Sequence, residues 1–177
     1  IWMHNKLETQ IPYLKKKEVA IVYSNTIFFN QKFDKILYTF NQPSGKIFKK
    51  LLFHYNISLE SILIKRKYIS NLDNFFSTQY QLISDFDLVV RLSSLYKIIY
   101  VPYVLSKWRI HNNNSTKGKL INFINEKISW IDFNQNILSS SIQKKLKKNL
   151  NIDKTLLLIC DGRYKEAKSI FKNNFQI

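Results

Sequence analysis

The sequence predicts an α/β fold followed by a C-terminal helical extension. Two observations predict it. Helical and strand patterns alternate three times over roughly the first two thirds of the chain, which is typical of an α/β domain. After residue 119 only helical patterns occur. We therefore expect an α/β part at 1–116 and a helical part at 117–177.

The composition is that of a globular chain. The 177 residues are 45% hydrophobic, with only three glycines and three prolines, which excludes disordered and linker-like chains. No apolar run reaches the roughly 20 residues of a membrane span. A single cysteine, Cys160, excludes a framework of internal disulfides and favours the cytoplasm. Because Ile1 is neither an initiator Met nor the start of a signal peptide, we expect that the sequence begins inside a longer chain.

The charge balance is strongly basic. Lys and Arg outnumber Asp and Glu by 28 to 12, which gives a net charge of +16, a balance common in proteins that bind nucleic acid or anionic membranes. The excess is spread along the chain, with +9 over 1–111 and +7 over 112–177, and 24 of the positive residues are lysine. This pattern, with abundant Ile and Asn, indicates an AT-rich coding bias, so the net charge by itself does not indicate a function.

Hydrophobic periodicity and turn residues predict the individual elements. Leu7, Ile11 and Leu14 form a helical apolar stripe that ends in three lysines, which we interpret as a solvated helix end rather than a phosphate site. In chain order, the further predictions are a buried strand at 19–30, a loop at 41–45, a helix at 46–55, a strand at 57–64, a helix at 85–96, a strand at 98–103 that continues extended to 110, helices at 120–138 and 142–150, and a helix pair at 156–171 around Asp161 and Gly162. That pair is similar to one tetratricopeptide-type hairpin, which we interpret as a packing appendage.

The segment 84–92 places two carboxylates in the first turn of an apolar helix. Ser84 and Asp87 have the spacing of a capping box, and acidic residues in a first turn are favoured by the helix dipole. Arg91 follows Asp87 by four residues and can pair with it. On these residues alone, Asp85 and Asp87 serve either the helix end or a functional site.

Several separated segments within 1–116 carry motifs in a consistent order. The stretch 1–11 contains Trp2, then Lys6 and Leu7, then Gln10; the later motifs are 19–24, Gly45 with its following helix, 61–66, 84–88, 100–105 and 108–111. Together they resemble the second half of a family 2 glycosyltransferase of the GT-A fold. In that family, the stretch like 1–11 directly follows the metal-binding Asp-x-Asp motif. Residues 84–88 resemble its Glu-Asp-x-Asp-Leu motif, with Ser84 in place of Glu, and 108–111 resemble its Arg-x-His.

The resemblance implies a partial GT-A fold, a mixed sheet with flanking helices, whose nucleotide-binding strands and Asp-x-Asp ligands lie upstream of Ile1. It implies a transferase that moves a sugar from a nucleotide-sugar donor to a glycan or lipid-linked acceptor, with inversion, in the biosynthesis of cell-surface polysaccharide. Asp85 would be the general base and His111 a ligand of Mn²⁺ or Mg²⁺. The chain would hold only the acceptor side and be inactive alone. Donor- or acceptor-positioning residues would be Asp87, Trp2, Gly45 and Arg109.

The chemistry explains why such residues would be needed. Sugar transfer passes through an oxocarbenium-like transition state in which the acceptor hydroxyl loses a proton to a carboxylate. A divalent cation neutralises the leaving diphosphate. Alternatives remain for single residues: His111 as a structural histidine, Asp87 as a helix cap, and Arg109 as a partner in a surface ion pair.

A second hypothesis is a basic non-catalytic module that binds nucleic acid or an anionic membrane surface. The sequence contains no RNA-recognition aromatic motif, zinc-ligand set or glycine-rich phosphate loop, so we expect no nucleic-acid partner. Peripheral attachment to the inner face of a membrane is compatible with the transferase hypothesis, because acceptors of this kind are often lipid-linked.

Overall fold

A computed structural model of the chain describes residues 1–70, 72, 75–111 and 118–175. The chain divides into two compact units, one made of Ile1–Gln79 with Ser84–Asn114 and the other of Tyr80–Ile83 with Ser115–Ile177. The predicted boundary between residues 116 and 117 lies outside the described residues. All strands of the described chain belong to the first unit.

The elements of the first unit alternate between helix and strand. They are α1 (Lys6–Leu14), β1 (Val19–Phe29), β2 (Asp34–Ile36), α2 (Phe48–Phe53), a 3₁₀ turn (Leu59–Ser61), β3 (Leu63–Ile64), α3 (Arg66–Ile69), α4 (Ser84–Leu95) and β4 (Lys97–Arg109). The α/β class expected from the sequence is confirmed. The predicted strands at 19–30 and 98–110 are the two long strands, β1 and β4.

β1 is the centre of a mixed sheet. β4 pairs with it in parallel along nearly its whole length, from Val19 opposite Lys97 to Phe29 opposite Arg109. β3 and β2 pair with β1 in antiparallel orientation, at Ile21–Val22 and at Ile27–Phe29 respectively. Since β4 occupies one edge of β1, the two short strands share the other. Parallel neighbours need a crossover, and α4 supplies its last segment because it leads directly into β4.

The core of this unit lies around β1. Residues 19–26 of β1 are all buried, as expected for a strand enclosed on both faces. Leu88, Val89 and Leu92 of α4 are fully buried. Leu105 of β4 packs with Val19 and Val22 of β1 in one hydrophobic cluster. The pairing of β1 with β4 shifts register beside Pro102, which is exposed and has no N–H to donate to a ladder.

One expectation for this unit was wrong, and two features of it were not predicted. The predicted strand at 57–64 is a 3₁₀ turn followed by the two-residue β3, because the Ser58 carbonyl accepts the Ser61 N–H and closes the turn. The stripe on α1 leaves Leu7 and Ile11 more than one third exposed, whereas Lys6 and Gln10 are fully buried. The hairpin strand β2 was missed, although the Asn30 side chain accepts two backbone N–H groups in the preceding turn. The helix predicted at 46–55 is present but shorter.

The second unit is helical, with α5 (Leu120–Phe133), a 3₁₀ turn (Gln135–Ile137), α6 (Ser140–Cys160) and α7 (Tyr164–Phe175). The turn at Asp161 and Gly162 is confirmed, and Gly162 has a φ of +73°. α5 ends earlier than predicted, since Asn134 caps it by donating to the Trp130 carbonyl. α6 continues through residue 150, where a break was expected.

Within this unit, Trp130 is fully buried and the Glu126 carboxylate accepts the backbone N–H groups of Gln81, Leu82 and Ile83. A carboxylate on consecutive amides holds residues 80–83 against α5. None of the helices in the described part of the chain combines the length and apolarity needed to cross a membrane.

Candidate functional site

Asp85 lies in the first turn of α4 and is bound by a half-buried phenol. The Tyr55 hydroxyl donates to Asp85 Oδ2 over 3.3 Å, and the Tyr55 ring meets Phe86 edge-on at 5.3 Å between centroids. Burial, and then the charge of Asp85, raise the pKa of Tyr55 well above its ordinary value. The phenol therefore stays protonated and donates to Asp85 throughout the neutral range.

A short series of contacts connects this carboxylate to the sheet. Asn56, the neighbour of Tyr55, accepts a hydrogen bond from the Tyr38 hydroxyl through its carbonyl. The Tyr38 ring stacks edge-on against Tyr100 of β4, and Tyr100 contacts Tyr23 of β1. Tyr55, which binds Asp85, is therefore next in the chain to a residue that is hydrogen-bonded to Tyr38, whose ring packs with aromatic side chains of the long strands.

Asp87 lies two residues further on and is 3% exposed. Its carboxylate accepts from Arg91 Nε at 3.0 and 3.1 Å and from Nη2 at 2.7 Å, and Nη2 also donates to the Phe75 carbonyl at 3.1 Å. The expected pair at i and i+4 is confirmed. A bidentate guanidinium of this kind fixes the carboxylate firmly, which favours a structural part for Asp87.

Residues 1–3 form an additional strand-like segment beside β4. The Ile1 amino group donates to the Lys107 carbonyl at 2.9 Å, and the Lys107 N–H donates back to Ile1 at 2.8 Å. Met3 donates to the Leu105 carbonyl at 3.0 Å, and Trp2 bridges Ser106 in antiparallel orientation. This segment therefore runs toward the start of α1 while β4 runs toward Arg109.

Trp2 also belongs to a polar cluster that sequence reasoning missed. Its indole N–H donates to the Glu60 carbonyl at 3.0 Å, and the Lys6 ammonium lies 5.2 Å from its ring centroid. Lys6 Nζ donates to the Gln10 amide oxygen and, at 2.8 Å, to the Ser61 carbonyl. Burial lowers the pKa of Lys6 to about 8, although the nearby Glu60 charge opposes this.

The Glu60 carboxylate completes the cluster. The Ser58 hydroxyl donates to Glu60 Oε1 at 2.6 Å, and Thr26 Oγ1 lies 2.9 Å from the same oxygen and 2.9 Å from the Ser106 carbonyl. The Ser106 hydroxyl donates to Thr26 Oγ1 at 3.0 Å. We call Trp2, Lys6, Thr26, Glu60 and Ser106 the Lys6–Glu60 cluster. The sequence signal that could have indicated this cluster is the spacing of Lys6 and Gln10, which lie four residues apart on one helix face.

The predicted Arg-x-His motif consists of Arg109, the last residue of β4, and His111, just beyond it. The Arg109 guanidinium is 5.5 Å from the Phe29 ring centroid, and Trp108 meets Phe28 edge-on at 4.9 Å. His111 is exposed and follows the strand by two residues. In the chain, Arg109 and His111 therefore come just after the part of β4 that pairs with residues 1–3.

Gly45 lies elsewhere. It forms an antiparallel bridge with Ile98, donating at 2.7 Å and accepting at 3.0 Å, at the beginning of β4. Ile98 and Arg109 are 11 positions apart, which along an extended strand is roughly 35 Å. Gly45 has a φ of +99°, a conformation that favours glycine, so its position has a backbone reason. The structure does not bring Gly45 to the end of β4 that carries Arg109.

The resemblance implies a divalent metal ion held partly by His111. Over the described residues, no group of three or more His, Cys, Asp or Glu side chains is placed to hold a metal ion. The described chain therefore does not complete a site for Mn²⁺ or Mg²⁺, and His111 as a ligand stays a prediction.

The structure brings Trp2 to β4 and links Asp85 to the same sheet through Tyr55 and Tyr38. The contacts that Tyr55, Lys6 and Glu60 make in the candidate site were not predicted from the sequence. Compared with models of known protein families and with curated proteins, the chain matches none.

Proposed function

We propose that the chain is the acceptor-side half of a glycosyltransferase catalytic domain, which transfers a sugar from a nucleotide-sugar donor to a glycan or lipid-linked acceptor. The observation that carries the proposal is the pairing of Ile1–Met3 with Leu105–Lys107. In a longer chain, residues before Ile1 that continued this antiparallel pairing would run beside Arg109 and His111. An Asp-x-Asp motif at that place would face the predicted Arg-x-His.

The arrangement around Asp85 supports a general base in the same domain. A carboxylate in the first turn of α4 is partly buried, oriented by a neutral phenol and close to the sheet. Such a group can accept the proton of an acceptor hydroxyl as the hydroxyl attacks the sugar. Asp87, held by Arg91, would keep the helix start in place rather than take a proton. The described residues supply no complete metal site. A role for a divalent cation therefore stays a prediction that is based on the family resemblance.

The proposal is tested first on the coding sequence upstream of Ile1. We expect alternating strands and helices that end in paired aspartates immediately before Ile1. A start codon directly before Ile1, or an unrelated upstream domain, would contradict the proposal.

The second test is turnover of the longer chain with a panel of nucleotide sugars, measured as nucleoside diphosphate release with and without Mn²⁺ or Mg²⁺. Asp85→Asn should lower turnover by about 10²- to 10⁴-fold while the circular dichroism spectrum is unchanged. Asp34→Asn, in the exposed strand β2, is the matched control and should keep normal turnover. Normal turnover of Asp85→Asn would exclude Asp85 as the base.

A further inference from the structure

α6 exposes a continuous stripe that changes from basic to apolar along its length. Positions 145, 148, 152, 156 and 159 follow the spacing of three and four residues that keeps side chains on one helix face. Lys145 and Lys148 are exposed at its start. Ile152, Leu156 and Ile159 are 37%, 56% and 44% exposed, respectively. We call these five residues the α6 stripe.

The other faces of α6 are covered by its neighbours in the helical unit. Leu146, Thr155 and Leu158 are buried, and Lys147 and Lys154 bind side chains of α5. The stripe is therefore the face of the helix that packing within this unit leaves exposed. Exposing three large aliphatic side chains to water in a row is unfavourable unless a partner covers them.

The charge around the stripe selects the kind of partner. The two helices α6 and α7 carry eight lysines and two acidic residues. On α7, Tyr164 and Phe171 are also exposed and share one face with Lys168. A second copy of the chain would bring the same positive charge against this face and be repelled. Duplex nucleic acid would neutralise the lysines but offers no apolar surface to Leu156 and Ile159.

We propose that the α6 stripe docks the chain onto an anionic lipid surface. Lysines attracted to lipid phosphates, combined with aliphatic side chains that enter the boundary of the acyl chains, are the two contributions that hold an amphipathic helix in a membrane interface. α6 would lie in the plane of the interface, with its buried face still packed on α5 and α7. This inference is independent of sugar transfer.

The test is co-sedimentation of the 177-residue chain with phosphatidylcholine vesicles that contain or lack phosphatidylglycerol. We expect binding to the anionic vesicles only, weakened by salt. Leu156→Ser and Ile159→Ser should each weaken it about tenfold. Leu120→Ser is the matched control, since Leu120 is as exposed as Leu156 but lies on α5. Each of Lys145→Gln and Lys148→Gln should weaken binding about fivefold, whereas Lys15→Gln in the first unit should not.

A second measurement needs no change of sequence. Cys160, the single cysteine, is exposed and follows Ile159 at the end of α6. An environment-sensitive fluorophore on Cys160 should shift its emission to the blue when anionic vesicles are added. Equal binding to neutral vesicles, equal losses in the stripe and control variants, or no emission shift would overturn the proposal. Binding to an acidic protein or to DNA without vesicle binding would overturn it as well.

Discussion

The Tyr55 hydroxyl donates a hydrogen bond to Asp85 Oδ2, so that a half-buried phenol in the loop after α2 orients a carboxylate at the start of α4. The contact joins two segments 30 residues apart in the chain. It makes Tyr55 a positioning residue for the proposed general base, since Tyr55 acts through the carboxylate.

Replacing Tyr55 should change the ionisation of Asp85. In Tyr55→Phe, the ring still packs on Phe86, but the ionised carboxylate loses a donor worth about 1 kcal/mol. We expect the pKa of Asp85 to rise, so that the acid limb of the pH-rate profile moves to higher pH in the longer chain. Carboxyl NMR titration of Asp85 in the 177-residue chain measures the same shift without turnover. An unchanged Asp85 titration in Tyr55→Phe would show that the hydrogen bond does not orient the carboxylate.

The ion pair of Asp87 and Arg91 should stabilise the fold. Arg91→Met leaves a buried carboxylate without its bidentate partner, and we expect unfolding in urea to require about 2–3 kcal/mol less. Arg91→Met combined with Asp87→Leu removes both charges and should recover most of the loss. A double variant as unstable as the sum of the single variants would mean that the two residues do not interact.

Lys6 should make the free energy of unfolding vary with pH in the alkaline range. Its folded pKa of about 8 lies below the ordinary value of 10.5, so between these values the unfolded chain binds more protons than the folded chain. Stability contributed through Lys6 therefore rises as pH increases across this window. Lys6→Met should remove that rise, whereas Lys15→Met, at the exposed end of α1, should keep it. Chemical denaturation at several pH values measures the difference, and equal slopes for the wild type and Lys6→Met would contradict the burial of a charged amine.

Gly45 should matter for stability through its backbone. No atom lies within 4 Å of a Cβ built at Gly45, so the cost of a side chain comes from the φ of +99° alone. We expect Gly45→Ala to cost about 1–3 kcal/mol in thermal or urea unfolding. Gly45→Asn should cost less, because Asn tolerates positive φ better than Ala. Equal losses in both variants would indicate a cause other than backbone conformation.

Local sequence patterns were sufficient to predict the features that depend on residues close together in the chain. The β-branched and aromatic run of β1 and the pairing of Asp87 with Arg91 both follow from residues close in sequence, and both are present. The helical nature of the C-terminal part also follows from its periodicity. These features need no knowledge of distant partners.

The interior face of α1 was decided by tertiary structure. The apolar stripe of α1 does not mark its interior face, since Leu7 and Ile11 are exposed whereas Lys6 and Gln10 are buried. Lys6 and Gln10 both donate to the Ser61 carbonyl, 51 residues after Gln10. The 3₁₀ turn at Leu59–Ser61, which stands where a strand was expected, presents this carbonyl to α1. Buried hydrogen bonds to a distant backbone group outweigh local hydrophobic pattern, and no window of sequence contains both partners.

The sequence by itself determined the α/β class, the two long strands, the helical C-terminal part and the acidic start of α4, because each depends on spacing within one segment. Only the tertiary structure decided that β1 and β4 are parallel neighbours, that residues 1–3 pair with β4, and that Tyr55 binds Asp85. Those relationships join residues up to 106 positions apart. They depend on which backbone and side-chain groups become neighbours when the core forms, which periodicity within a segment does not specify.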